Sequence, residues 1–207
     1  MTNPASVASG GAVASESETA FSSLGLGVLY HHIGRRRDCC VLDLGRGFGA
    51  NVEFLSQFSS KIFIEDLYQT LTSIGKPFAG ADRVYCPVYN YLLPYHEDTR
   101  FDLVLLWNLL DYLDRDDIGR LAAHIARFCR PGTLIYALIS TRQKIPGTPT
   151  DFKILDKDNL LYQYTTSAQR DCPRYRQVGL LELLRGFGVK RSFLLRNGMQ
   201  EYLFEFG

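Results

Sequence analysis

At 207 residues, with 46% hydrophobic and 22% charged residues, the chain fits one globular domain with a terminal extension and has ample material for a core. A formal net charge of +1 excludes a global field that would draw it to nucleic acid or an anionic membrane. No stretch approaches the roughly 18 uninterrupted apolar residues of a membrane span. The five cysteines make an odd count with no CxxC pair, which suits neither a disulfide framework nor a zinc site. The expected setting is a reducing cytoplasm, with no metal bound.

The first 20 residues, MTNPASVASGGAVASESETA, are rich in Ser, Ala and Gly and are expected to form a mobile tail. They have neither the basic start nor the apolar run of a secretory signal, and two glutamates without an arginine argue against a transit peptide. Residues 21–207 read as one domain. AFSSLGLGVLYHHIGRRRD (20–38) has helical spacing weakened by Gly25 and Gly27, and Arg35, Arg36 and Arg37 suit a solvated helix end. CCVLDLG (39–45) is a short apolar run halted by glycine, the pattern of a buried parallel strand. A helix, NVEFLSQFSS (51–60), and a second buried strand, KIFIEDL (61–67), follow. Residues 68–82 predict a weaker helix and a turn, and RVYCPV (83–88) a third strand ended by Pro87.

FDLVLLW (101–107) is the most apolar run and predicts a central strand. DRDDIGRLAAHIARFCRPG (114–132) is a helix with acids in its first turn and Arg127 and Arg130 near its end, stopped by Pro131-Gly132. TLIYALIS (133–140) is then a fifth strand. This alternation requires a parallel sheet with helices on both faces. At the C-terminus, VGLLELLRGFG (178–188) predicts a helix, and VKRSFLLR (189–196) and MQEYLFEF (199–206) flank Asn197-Gly198. Asn-Gly between two strand-like runs signals a hairpin with a type I′ turn, so the last strand runs antiparallel to its neighbour.

Glycines at the carboxyl end of a first parallel strand let a ligand approach the backbone. Here they form Asp43-Leu44-Gly45-Arg46-Gly47-Phe48-Gly49. The same residues satisfy the dinucleotide fingerprint through Ala50, but a carboxylate two positions before Gly45 disfavours a pyrophosphate and welcomes a cofactor with an ammonium group. Glu65, at the end of the second strand, is placed to accept both ribose hydroxyls; the adjacent Asp66 is the weaker candidate.

VLDLGRGFG together with the terminal hairpin resembles the class I, Rossmann-like, S-adenosylmethionine-dependent methyltransferases. The resemblance implies a three-layer αβα sandwich with a mostly parallel seven-stranded sheet and an antiparallel C-terminal hairpin strand. It also implies S-adenosylmethionine as cofactor and S-adenosylhomocysteine as product. In the family, the loop of Gly45, Arg46, Gly47 and Gly49 packs along the methionine part, and the acid at Asp43 positions its amino end. An aspartate that binds adenine commonly precedes a Leu-Pro pair; before Leu93-Pro94 this chain offers Asn90 instead. FDLVLLWNLLDYL resembles the fourth motif, which puts Trp107, Asn108 and Asp111 near the methyl donor. It is not N/D-P-P-Y, which lowers the prospect of an adenine or glutamine acceptor.

Methyl transfer needs alignment above all, and a base only where the acceptor carries a proton. Asp111 and His96 are the candidate bases, while His124, in mid-helix, reads as structural. Residues 141–177, roughly 35 mostly non-periodic residues, are the expected acceptor-binding or lid segment, with Tyr162, Tyr164 and Tyr175 among basic residues. The sequence therefore predicts methyl transfer to an unidentified acceptor, a small molecule in preference to nucleic acid. A non-catalytic scaffold or activator subunit and an NAD(P)-dependent oxidoreductase are the alternatives.

Overall fold

The computed structural model describes residues 18–74, 88–164, 166 and 168–207. In chain order the elements are β1 (Glu18–Ser22), α1 (Leu24–Ile33), β2 (Cys39–Asp43), α2 (Gly49–Ser56), β3 (Ser59–Ile64), α3 (Leu67–Ser73), α4 (Val88–Leu92) and β4 (Phe101–Trp107). A 3-10 turn (Leu109–Tyr112) leads into α5 (Arg115–Ala126) and β5 (Cys129–Ser140). Four short strands follow, β6 (Lys144–Pro146), β7 (Asp151–Ile154), β8 (Asn159–Gln163) and β9 (Gln169–Asp171). The chain closes with α6 (Gln177–Leu183), β10 (Phe187–Leu194) and β11 (Met199–Phe206).

The main sheet has six strands among the described residues, in the order β10-β11-β5-β4-β2-β3. β3, β2, β4 and β5 are parallel neighbours, while β11 runs antiparallel to both β5 and β10. Of the expected third strand at 83–88, all but Val88 lies outside the described residues, and Val88 begins α4. One sheet face packs Val41, Leu103, Leu105 and Leu138 against α1 and α2 through Leu26, Leu29, Phe54 and Leu55. The other packs Leu42, Val104, Ile135 and Phe204 against Leu67, Leu121 and Leu180 of α3, α5 and α6. These two cores make the three αβα layers. β4 is buried at every position, as a central parallel strand covered on both faces must be.

Three local readings change. Pro131-Gly132 lies inside β5 rather than before it: α5 ends near Arg127, and Gly132, at φ +89°, marks a register shift against β4. The terminal hairpin turns through Leu195 to Gly198, closed by the Gly198 N–H donating to the Leu195 carbonyl at 3.2 Å. There only Gly198 takes a positive φ, so the turn is not type I′. Of the expected tail, residues 1–17 lie outside the described residues, whereas Glu18–Ala20 belong to a strand that pairs antiparallel with β8. Packing of Phe21 on Tyr162, with centroids 5.5 Å apart, accompanies that pairing.

The segment expected to be irregular is built instead as two small sheets, β1-β8-β7 and β6-β9. Asn51 of α2 ties one of them to the main body: its side chain donates to the Phe152 carbonyl at 3.0 Å and accepts from Ile154 N–H at 2.8 Å. Phe152 is thereby held over the carboxyl end of β4, stacked on Trp107 with centroids 5.6 Å apart.

Candidate active site

The carboxyl ends of β2 and β4 open into a cavity of about 420 Å³, within the range typical of small-molecule and cofactor sites. Gly45 and Arg46 form its floor, Trp107 and Asn108 one wall, Asp66 and Gln69 another, and residues 148–152 its cover. The glycine is obligatory: a Cβ on Gly45 would overlap the Trp107 indole, lying 2.8 Å from its Nε1. Trp107 itself sits at φ +48°, a conformation that bulky residues rarely adopt and that concentrates at functional sites.

Asp43 holds this arrangement together. Its Oδ1 accepts from Gly45 N–H at 3.0 Å and from Trp107 Nε1–H at 2.7 Å. Burial pushes its carboxyl up to about 6, against the pull of the hydrogen bonds from Gly45, Trp107 and Asn51. It is 1% exposed and is not among the residues lining the cavity. Arg46 reaches across the opening to Asp151 at 3.1 Å, so it joins floor to cover.

The two acids after β3 diverge. Asp66 caps α3 by accepting from Gln69 N–H at 3.1 Å and lines the cavity. Glu65 accepts from the Thr70 hydroxyl at 2.7 Å and stands outside the lining. Gly47 and Gly49 continue the loop toward α2 beyond the cavity wall, and a Cβ on Gly49 would meet nothing within 4 Å. Asn90 is turned toward α5, where its oxygen accepts from Arg127 at 3.0 Å, and it is not a lining residue. His96 is 80% exposed beside Asp98 and lines neither the cavity over Gly45 nor the smaller one beside it. His124 is buried, bonded to the Leu93 carbonyl, and held below the usual histidine range chiefly by burial, as a structural histidine would be.

Asp111 is different. It is 1% exposed, and its Oδ2 accepts from Ser140 N–H of β5 at 2.8 Å, while its Oδ1 has no partner among the described residues. Burial pushes the carboxyl up to about 7, against the pull of the Ser140 bond and Arg170. A buried carboxyl poised near neutrality is suited to exchange a proton. Sequence reasoning missed Gln69, Thr148, Thr150, Asp151 and Phe152 as cavity residues. The signal for the last four was their position inside the segment already marked for the acceptor.

A parallel sheet carrying a glycine loop at the end of its first central strand, and closed by an antiparallel strand, defines the class I methyltransferase fold. Residues 42–137 match the family described as a methyltransferase domain. No curated protein matches it in sequence. Among solved structures it is similar to an S-adenosylmethionine-dependent methyltransferase from Clostridium acetobutylicum, with 12% identity, TM-score 0.51, and 87% of this chain and 88% of that one covered. It is also similar to DesVI of Streptomyces venezuelae, with 13% identity, TM-score 0.51 and coverages of 88% and 90%. A third is the 1,6-didemethyltoxoflavin-N1-methyltransferase of Burkholderia thailandensis with bound 1,6-didemethyltoxoflavin and S-adenosylhomocysteine, with 20% identity, TM-score 0.50 and coverages of 87% and 76%. At such identities these likenesses establish the fold. No helix among the described residues is long and apolar enough to cross a membrane.

Proposed function

We propose that the chain binds S-adenosylmethionine in the Gly45–Asn108 cavity and methylates a small molecule that enters beneath the inserted strands. The observation that carries this reading is the join between the glycine floor and the cover: backbone without side chain at Gly45, a carboxylate at Asp66 and a folded segment overhead meet in one space. The residues fit the cofactor. Open backbone at Gly45 suits its methionine part, and Asp66, in preference to Glu65, suits the ribose hydroxyls. Asp43 acts as a positioning residue that fixes the loop and Trp107. Arg46 and Asp151 close the mouth, and Asn108 stands between the cofactor and the acceptor.

The cofactor supplies an activated methyl group on a sulfonium, so the protein's task is alignment and exclusion of water. Phe152 and Trp107, stacked face to face, form the dry side of the site. A small acceptor suits the covered mouth, and the Burkholderia relative, crystallised with 1,6-didemethyltoxoflavin, offers a parallel. Calorimetric titration with S-adenosylhomocysteine, with NAD⁺ as control, tests the reading. Micromolar binding of the first and none of the second is expected. Binding of NAD⁺ instead would assign the cavity to a dinucleotide, and binding of neither would leave the fold as a scaffold.

A further inference from the structure

A second cavity, of about 40 Å³, adjoins the first and shares Asn108 and Thr150 with it. Three buried side-chain atoms without a hydrogen-bond partner among the described residues belong to residues on its wall: Asn108 Oδ1, Asp111 Oδ1 and Asn197 Nδ2. Orphaned buried polar atoms are rare and costly, and each calls for an explanation. Here they come from separate parts of the fold, the end of β4 with its 3-10 turn and the β10–β11 turn. Asn108 and Asp111 are 4% and 1% exposed. Local geometry accounts for the other half of two of these groups: Asp111 Oδ2 serves Ser140, and Asn197 Oδ1 accepts from Met199 N–H at 3.1 Å. What remains is two acceptors and one donor, carried by three residues that line a space for one small polar group.

We infer that this cavity receives the nucleophile of the methyl acceptor, and that the acceptor is a small uncharged amine carrying a hydrogen-bond-accepting oxygen beside its nitrogen. The inference rests on the cofactor assignment above. The two oxygens of Asn108 and Asp111 take the two N–H bonds of an amino group, which leaves its lone pair free to face the larger cavity across Asn108. The Asn197 amide donates to the neighbouring oxygen. Arg142 and Lys144 on the same wall disfavour an ammonium form, and Tyr162 and Tyr164 offer aromatic surface to the rest of the molecule. In the reaction the nitrogen lone pair forms the new N–CH₃ bond. The S–CH₃ bond breaks with its electron pair left on sulfur, giving the thioether. The ammonium so formed passes one proton to Asp111 Oδ1. The elevated Asp111 carboxyl suits that receipt and later release to solvent.

The competing occupant is a single buried water, whose size the cavity also fits. The probes are 2-aminobenzamide, uncharged at neutral pH with an amino group beside a carbonyl, and 2-(dimethylamino)benzamide, which has no amino N–H. Both are titrated against wild-type protein, Asp111→Asn and Asn197→Ala, each with and without saturating S-adenosylhomocysteine. The expected result is that wild type prefers 2-aminobenzamide by about tenfold, the worth of one good hydrogen bond. Asp111→Asn keeps an oxygen for Ser140 and turns an NH₂ to the cavity, so its preference is abolished or reversed. Asn197→Ala lowers 2-aminobenzamide affinity by about threefold or more. Equal affinity for both probes in wild type, or an unchanged preference in Asp111→Asn, would overturn the inference and leave the cavity to water. The S-adenosylhomocysteine titration of each variant separates the two readings. Amine discrimination without cofactor binding removes only the cofactor assignment, and cofactor binding without discrimination removes only this inference.

Discussion

Glu201 and Asp111 are almost equally buried, at 0% and 1% exposure, and both lie against β5. Their surroundings treat them in opposite ways. Glu201 on β11 is fully enclosed by donors: Ser23 and Tyr136 donate their hydroxyls to Oε1, and Gly25 N–H donates to Oε2 at 2.8 Å. The N-terminus of α1 is pinned to the sheet through this cluster, and Gly25 is there because a Cβ would meet Tyr136 at 3.0 Å and Glu201 at 3.2 Å. Asp111 keeps one oxygen without a partner among the described residues, at the carboxyl end of the strands. A buried carboxylate with all its donors is architecture; one left half-satisfied beside a cavity stores reactivity at a cost in stability.

The largest expected effect breaks the first half of that comparison. Glu201→Ala removes the acceptor of three donors; the Ser23 and Tyr136 hydroxyls, 3.1 Å apart, can still pair with each other, which leaves two orphaned at about 1–3 kcal/mol each. It should lower stability by about 3–5 kcal/mol, some 10 °C or more in melting temperature for a chain of this size. Affinity of the folded protein for S-adenosylhomocysteine should be unchanged; a matching loss of affinity would show that the cluster belongs to the site.

Asp111→Asn should act in the reverse sense. Because burial raises its folded carboxyl from the ordinary aspartate range to about 7, the native state binds the proton more tightly than the unfolded chain. Its contribution therefore falls as pH rises from about 4 to about 7 and stays low above that. Removing the ionisation should make the variant more stable than wild type by up to about 4 kcal/mol at pH 8, with a small difference near pH 4. Thermal melts at both pH values check this, and a pH-independent difference would contradict it.

Most of the three-layer frame was legible, because apolar runs such as FDLVLLW and the stop at CCVLDLG mark buried parallel strands without help from tertiary context. The glycine loop was equally plain. Illegible were the features made by partners distant in sequence. Nothing in the spacing of Asp43 and Trp107 announces that the indole N–H donates to the acid. Asn90 beside Leu93-Pro94 had the right setting in sequence, yet Arg127 claims its side chain. The short strands after β5 pair with β1 and with each other, and strands this short leave little periodicity to read. Asn197, read only as a turn residue, brings its amide to the second cavity because the hairpin folds back on β5.

A smaller effect sharpens the other half of the comparison. Asp43 carries an elevated carboxyl near 6, so its hydrogen bonds to Gly45 and Trp107 gain strength as it ionises. Affinity for S-adenosylhomocysteine should rise severalfold from pH 5 to pH 7 in wild type and stay flat in Asp43→Asn, as calorimetry at both pH values would show. The smallest effect belongs to Arg46→Ala. An ion pair with Arg46 59% exposed contributes about 0.2–1 kcal/mol, so cofactor affinity should fall by no more than about fivefold.

The central claim is that the cofactor lies against Gly45 and Trp107. The chain has one tryptophan, and it stands in the cavity wall. Titrating S-adenosylhomocysteine while following tryptophan emission is therefore the most direct test. The account predicts a saturable change in emission with the same midpoint as the calorimetric isotherm, and weakening of both in Asp43→Ala. Calorimetric binding that leaves the Trp107 emission untouched would place the cofactor elsewhere and contradict it.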